Sequence, residues 1–320
     1  MTPSSQGMKF VGIGALLCAA LFWGGAFAAQ SMGADYIGPF GFIAGKCIVA
    51  SAFLGALIAG RYFAQKIKCK VDKNATPSLP KRDFRLLIVG GIICGLALFV
   101  ADNFQQAGIT AYPPEAAASG RSGFITATYV VMVAIFAFFM GKKIHPLVVV
   151  SIVVCLLGMY MLCVRGGLSG IYVGDVLVLA GALFYALHIV AVGRFSLLDA
   201  LWLSLIQFIT NALASLICAI VFEHITLESF LPALLPIVYV GIFSTGLGYT
   251  LQTVGQKYVD AAPAAIIMSL ESVFAALSGW IVLGELLSSV ELVGCVLVFI
   301  AVIMAQCPEF MKPRPRIRKQ

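Results

Sequence analysis

The chain has 320 residues, of which 61% are hydrophobic and only 11% charged, with a mean hydropathy of +1.02. A soluble domain carries about a quarter charged residues, so this composition excludes an ordinary water-soluble protein. The formal net charge of +7 does not mark a nucleic-acid binder, because the basic residues lie between apolar blocks and at the C-terminus instead of forming one patch.

Apolar blocks of about 20 residues, each enough to cross ~30 Å of hydrocarbon, predict ten transmembrane helices. In chain order they are Phe10 to Met32, Pro39 to Gly60, Phe84 to Ala107, Glu115 to Met140, Ile144 to Val164, Gly174 to Arg194, Ala200 to Phe222, Phe230 to Gly255, Ala262 to Leu283 and Ser288 to Gln306. A barrel would show ~10-residue alternating strands, which are absent, whereas a helix satisfies its own backbone in lipid. Ala26-Phe27-Ala28 resembles a signal-peptide cleavage site. Only Lys9 precedes this block, however, and Trp23-Gly24-Gly25 interrupts its apolar core, so the segment is read as a retained first helix. The nine cysteines form no C-x-x-C motif and are read as mostly buried free thiols.

Ten spans place both termini and every second loop on one side of the membrane. That side collects 18 of the 21 basic residues: Lys9, the cluster from Arg61 to Arg85, Lys142, Lys143, Arg194, Lys257 and the tail from Lys312 to Lys319. Arg165 is alone on the other side, and Lys46 and Arg121 fall inside spans. The positive-inside rule then predicts cytoplasmic N- and C-termini in a multi-pass protein of the cytoplasmic membrane. Asn74-Ala75-Thr76 matches a glycosylation acceptor but falls in a cytoplasmic loop, and is discounted.

An internal duplication is visible. Ala20-Leu21-Phe22-Trp23 recurs as Ala182-Leu183-Phe184-Tyr185, Phe104-Gln105-Gln106-Ala107-Gly108 as Leu251-Gln252-Thr253-Val254-Gly255, and Met140-Gly141-Lys142 as Leu283-Gly284-Glu285. These matches lay spans 1 to 5 over spans 6 to 10 in order. Residues 1–168 and 169–308 would then be the two repeats, followed by a basic cytoplasmic tail, 309–320. Five spans per half is an odd number, so the halves enter from opposite faces, which favours a site near the midplane between them.

Trp23-Gly24 in span 1, Pro39 followed by Lys46 in span 2, Leu270-Glu271 in span 9, and Leu283-Gly284-Glu285 leading to Gly294 in span 10 resemble the EamA-type family of the drug/metabolite transporter superfamily, over residues 8–306. The resemblance implies an all-α polytopic membrane protein, with ten transmembrane helices in two inverted five-helix repeats, a central cavity and export or exchange of small metabolites. The chain departs from the family pattern with Lys46 where Arg is usual, Ser272 where Pro commonly follows the Glu, and Gly141-Lys142 where the first half often repeats Gly-Glu. Lys is a point charge without the guanidinium fork, so the first departure weakens bidentate recognition of a carboxylate there.

Four ionisable groups are read as buried in spans: Lys46, Asp102, Arg121 and Glu271. Each costs roughly 2.5 to 3.5 kcal/mol near a helix centre, so they must face one another or a wet cavity. Depth, counted at ~1.5 Å per residue, suggests two pairs, Asp102 with Arg121 and Lys46 with Glu271. Static pairs that fix helix register are the competing role. Glu271 is the first candidate for a proton-coupling carboxylate, with Asp102 beside it, and exchange without any ion is the competitor.

Polar stripes point to a cavity: Ser204, Gln207, Asn211 and Ser215 share one face of span 7, Thr245, Gly248 and Gln252 one face of span 8, and Tyr185 and His188 one face of span 6. Hydrogen bonding between helices is the alternative for such stripes. The candidate substrate site comprises Trp23, Lys46, Arg121, His188, Gln207, Asn211 and Gln252, with Glu271 and Asp102 as coupling residues. Lys46 or Arg121 as a carboxylate binder tilts the substrate towards amino acids or organic acids, with drugs, nucleosides and sugars left open. No phosphate loop, H-E-x-x-H motif or metal cluster is present in the sequence, and no cofactor is expected. The reading is a secondary transporter, an exporter working by alternating access, with a small molecule, the bilayer and protons as its candidate partners. An intramembrane enzyme using His188 with Ser119, Ser122 or Ser269, and a structural membrane protein, are the competing classes.

Overall fold

The computed structural model describes residues 5–71, 84–113, 118–142, 144–163, 172–283 and 289–311. The Asn74-Ala75-Thr76 loop, Lys143, Arg165, Gly284-Glu285 and the basic tail lie outside these residues. Among the described residues every regular element is a helix. They are α1 (Ser5–Ala34), α2 (Pro39–Val71), α3 (Phe84–Thr110), α4 (Ala118–Ala127), α5 (Tyr129–Phe139), α6 (Pro146–Cys163), α7 (Val173–Phe195), α8 (Ala200–Phe222) and α9 (Leu227–Tyr239). A π-helical segment, Val240–Gly248, follows, and then α10 (Tyr249–Gly255), α11 (Ala261–Met268), α12 (Glu271–Leu283) and α13 (Ser289–Met311). Eight runs are long and apolar enough to cross a membrane, and Pro146–Gly158 and Val296–Ala305 are shorter apolar helices.

The local chemistry explains the boundaries. Pro39 opens α2, where its missing N–H would be unpaired anyway, and Asp199 caps α8 by accepting from the Trp202 N–H at 3.3 Å. On α8, Ser204, Gln207, Asn211 and Ser215 are all fully buried while Leu213, Ile217, Ile220 and Val221 point outward. Amphipathicity is thus inverted relative to a soluble protein, with polar groups inside and hydrocarbon outside, as a lipid solvent demands.

Three predicted spans are interrupted. The fourth breaks at Thr128 into α4 and α5, and the ninth breaks at Ser269-Leu270 into α11 and α12. Hydroxyls make both breaks tolerable: Thr128 donates to the Ile125 carbonyl, Ser269 to Ile266 at 2.7 Å and Ser272 to Ser269 at 2.7 Å. Backbone bonds tighten there to i→i+3, from Thr128 to Ile125 and from Leu270 to Ile267. In the eighth span the backbone widens instead, and the π-helical segment begins one turn after Pro236, which has no N–H to give.

Helix contacts come in matched pairs. The α2–α8 and α6–α13 contacts are each made between spans that the expected duplication would pair; α3 packs on α7 as the run from the π-segment through α10 packs on α1; and α4 meets α12 as α5 meets α11. The closest approaches repeat the same relation. A Cβ on Gly108 would lie 2.8 Å from the Gly174 carbonyl, and one on Gly255 would lie 3.0 Å from the Gly12 carbonyl. Likewise a Cβ on Gly95 would lie 2.6 Å from the Gln207 carbonyl, and one on Gly241 would lie 2.8 Å from the Lys46 carbonyl. Gln207 and Lys46 occupy the same position relative to the starts of α8 and α2.

These backbone approaches leave no room for a methyl group. Gly95→Ala and Gly241→Ala should each lower stability by about 1 to 3 kcal/mol, seen as an earlier melt of detergent-purified protein. Gly55→Ala and Gly60→Ala, whose surroundings are open, should melt no earlier than the parent.

Candidate functional site

A cavity opens where α1, α2, α3, α7 and the three interrupted spans converge, with about 470 Å³ of atom-free space, its mouth included. Its walls are aromatic and amide-rich: Trp23, Phe27, Gln30 and Lys46 from α1 and α2, Gln105, Thr126 and Tyr129 from α3, α4 and α5, Tyr185, His188 and Ile189 from α7, and Ser244, Tyr249, Gln252 and Glu271 from the π-segment, α10 and α12. The break points of the fourth and ninth spans therefore meet this space, with Tyr129 and Glu271 each in the first turn after a break.

One charged cluster backs the cavity. Lys46 Nζ lies 3.2 Å from Asp102 Oδ2, and both side chains are almost wholly buried. The same carboxylate accepts from Tyr185 Oη at 2.6 Å and from Asn211 Nδ2 at 2.9 Å. Asn211 in turn accepts from Ser215, whose hydroxyl accepts from Asn103 Nδ2 at 2.9 Å. A charge pair in this environment is retained because its remaining lone pairs are satisfied, which is the condition for a buried pair to break even.

The pairing differs from the sequence expectation. Lys46 is held by Asp102 and not by Glu271, and Arg121 is held by Asp175 and not by Asp102. Arg121 stands in the first turn of α4, with its side chain 22% exposed, outside the cavity wall. Its guanidinium donates through two nitrogens to Asp175, the NH2 bond measuring 2.7 Å, and stacks over the Tyr172 ring at 4.7 Å. Tyr112, just past α3, donates to the same carboxylate at 2.8 Å; burial first and Asp175 second push its phenol up, so it keeps the proton it donates. Depth alone misassigned these pairs because helix azimuth, which depth does not report, chooses the partner. Asp175 lay one residue inside the predicted start of span 6 and was the missing partner.

Glu271 is 4% exposed, makes no ion pair among the described residues, and its Oε1 has no hydrogen-bond partner. The Tyr129 hydroxyl neighbours it without reaching hydrogen-bonding geometry. Trp23 donates its indole N–H to the Ser244 carbonyl at 3.1 Å, a backbone acceptor within the π-segment, and lies 4.8 Å from the Tyr249 ring. His188 shares a 3.1 Å hydrogen bond with Gln207 Oε1 and packs edge-on against Tyr249.

Of the residues proposed from sequence, Trp23, Lys46, His188, Gln252 and Glu271 line the cavity. Gln207, Asn211 and Asp102 stand behind it as hydrogen-bond partners of His188 and Lys46, and Arg121 stands apart. Phe27, Gln30, Gln105, Thr126, Tyr129 and Tyr249 were not anticipated. Gln105 carried a signal, since it occupies the position in Phe104-Gln105-Gln106 that Gln252 occupies in the second half. Three of the described cysteines, Cys47, Cys94 and Cys155, are buried free thiols, and no group of metal-binding side chains occurs among the described residues.

Further ties join α2 to α8 near the ends of the molecule. Glu223, just past α8, accepts from the Phe40 and Gly41 N–H groups at the start of α2, both at 2.8 Å. At the opposite ends of the same two helices, Arg61 donates to Asp199 at 2.6 Å.

A helical membrane protein with a polar cavity at the convergence of broken helices is the architecture of a transporter. The EamA-like transporter family model matches residues 10–164 and again 172–306, so the chain belongs to that family. It is similar to an uncharacterized transporter of Archaeoglobus fulgidus, 30% identical over 295 residues that make up 90% of this chain and 83% of the relative. A crystal structure described only as that of a protein shares the fold, with a TM-score of 0.72 over 97% of this chain and 100% of its own, at 19% identity.

If the Lys46–Asp102 pair holds this site together, Asp102→Asn should cost about 3 to 5 kcal/mol by stranding a buried ammonium. A Lys46→Met, Asp102→Asn double variant should recover more than half of the loss in thermal melts. A double variant no more stable than the single one would show that the pairing is not what matters.

Proposed function

We propose that this membrane transporter is a secondary transporter that exports a small amphipathic metabolite across the cytoplasmic membrane by alternating access. The reading has ten helices in two inverted five-helix repeats, residues 1–168 and 169–308, with cytoplasmic termini and a basic tail at 309–320. The twofold family match, the paired glycine approaches and the matched helix contacts support the duplication. Rocking of one half against the other would break the Glu223–α2 and Arg121–Asp175 ties at one end, or the Arg61–Asp199 tie at the other.

The observation that carries the proposal is the cavity, with a buried carboxylate that no cation among the described residues neutralises, Glu271. A proton is the natural occupant of such a group, and its uptake on one side and release on the other would couple transport to a proton gradient. Trp23, His188 and Gln252 contact the substrate in this reading, while Gln207, Asn211 and Asp102 fix His188 and Lys46. Amino acids are favoured over plain organic acids, because both cations on which a carboxylate alone would depend, Lys46 and Arg121, already hold aspartates. The enzyme alternative loses support, since the hydrogen bond of His188 goes to Gln207 and Ser269 donates to a backbone carbonyl.

In proteoliposomes, wild-type protein should exchange a labelled amino acid with an internal pool and accumulate it when a pH gradient is imposed. Glu271→Gln should lose the gradient-driven accumulation, and the exchange it keeps at raised amino-acid concentration should no longer depend on pH. Wild-type pH dependence in that variant would remove the proton role, and no exchange of any amino acid by folded protein would remove the substrate class.

A further inference from the structure

Three oxygens on the cavity wall are buried and unpartnered: Glu271 Oε1, Gln252 Oε1 and the Tyr129 hydroxyl. Their residues are at most 4% exposed. The orientation of the Gln252 amide is fixed by its neighbours. Gln256 Nε2 donates to the Ile189 carbonyl at 2.9 Å, so Gln256 Oε1 is left to accept, and it takes the Gln252 NH2 at 3.1 Å. Gln252 must therefore turn its oxygen away from that chain. A carboxylate oxygen and an amide oxygen can only accept, so this wall carries a surplus of acceptors.

The occupant that completes such a wall is a donor. An anion would add acceptors to acceptors, and a hydroxyl would supply a single proton. An ammonium group brings up to three N–H donors and a positive charge to match Glu271. Lys46 does not fill this role, because Asp102 holds it. Trp23, Phe27 and Tyr249 offer aromatic faces in the same space, which suit both a cation and an apolar body.

We propose that the ligand of this cavity is an amphipathic amine, whose ammonium group is held by Glu271, Gln252 and Tyr129 and whose apolar part lies against Trp23, Phe27 and Tyr249. The assignment rests on the transporter reading for the passage of that ligand across the membrane, though not for its binding. It narrows the substrate class: an amino acid qualifies through its amine, and an organic acid lacking one does not.

The test uses four compounds built on one phenylethyl group: phenethylamine, phenylalanine, 3-phenylpropionate and 2-phenylethanol. Each is titrated calorimetrically into the full chain in detergent. The amine and the amino acid should bind, the acid and the alcohol should not. Glu271→Gln and Gln252→Leu should each weaken amine binding by about tenfold or more, as expected for loss of a charge-assisted or buried hydrogen bond. Tyr129→Phe, which removes one hydroxyl and no charge, should weaken it less and guards against misreading a folding defect. Tighter binding of the acid than of the amine overturns the proposal, as does amine affinity unchanged in both variants, or no binding of the amine to folded protein. Liposome exchange separates the two readings. An amine that binds but is not exchanged refutes transport and leaves the site, whereas exchange of the acid alone refutes the site and leaves transport.

Discussion

Lys46 and Asp102 meet where hydrocarbon surrounds the protein on every side, and the consequences of that meeting run through the centre of the fold. Neither ion is tolerable alone at this depth, and together they are tolerable only because Tyr185 and Asn211 complete the carboxylate. Those two donors must come from α7 and α8, so both helices have to pack tightly on α3. Gly95 permits this by admitting the Gln207 carbonyl, and Asn103 extends the same network to Ser215. The polar stripe of α8 is thus the lining of an ion pair as much as of a cavity. With this pair self-contained, Glu271 is left as the carboxylate of the cavity wall that no described cation neutralises.

Much of this was legible in the residues. The apolar blocks gave the positions of the long helices closely, Ala200 to Phe222 to the residue, because backbone in lipid has few alternatives to a helix. The interruptions were not legible. Thr128, Ser269 and Ser272 are ordinary residues of a membrane helix by composition, and only their hydroxyl-to-carbonyl bonds reveal that the backbone changes pitch there. Charged partners were also misjudged. By depth Arg121 reads as a span-buried partner of Asp102, but it lies one turn from a helix start, where Asp175, Tyr112 and Tyr172 surround it. Sequence reports depth along a helix and leaves its rotation to be decided by packing.

The glycine approaches allow the two halves to be laid over each other residue by residue, and the overlay exposes a difference. Gly95 corresponds to Gly241 by its contacts and Gly108 to Gly255, yet the second interval is one residue longer than the first. The additional residue falls in the stretch that the π-helical segment Val240–Gly248 occupies, and a π turn is how a helix absorbs an insertion without losing its ends. The halves therefore agree in register at both ends of this stretch and disagree within it.

That disagreement sits at the cavity wall. Tyr185 and Trp23 are counterparts in the repeated tetrapeptide, and Asp102 and Tyr249 are counterparts beside them. Tyr185 of α7 donates to the carboxylate of Asp102 on α3, whereas Trp23 of α1 packs its indole on the Tyr249 ring of α10, with its N–H turned to the Ser244 carbonyl of the widened helix. A symmetric duplication would have placed either two carboxylates or two aromatic pairs around the same small space. A carboxylate at the Tyr249 position would face Gln207 of α8 where Asp102 faces Lys46 of α2. At the Tyr249 position the π-segment and α10 present an aromatic ring and a backbone acceptor where α3 presents the Asp102 carboxylate, so the cavity acquires unlike sides. A ligand with a charged head and an apolar body can be held in one orientation only between such sides.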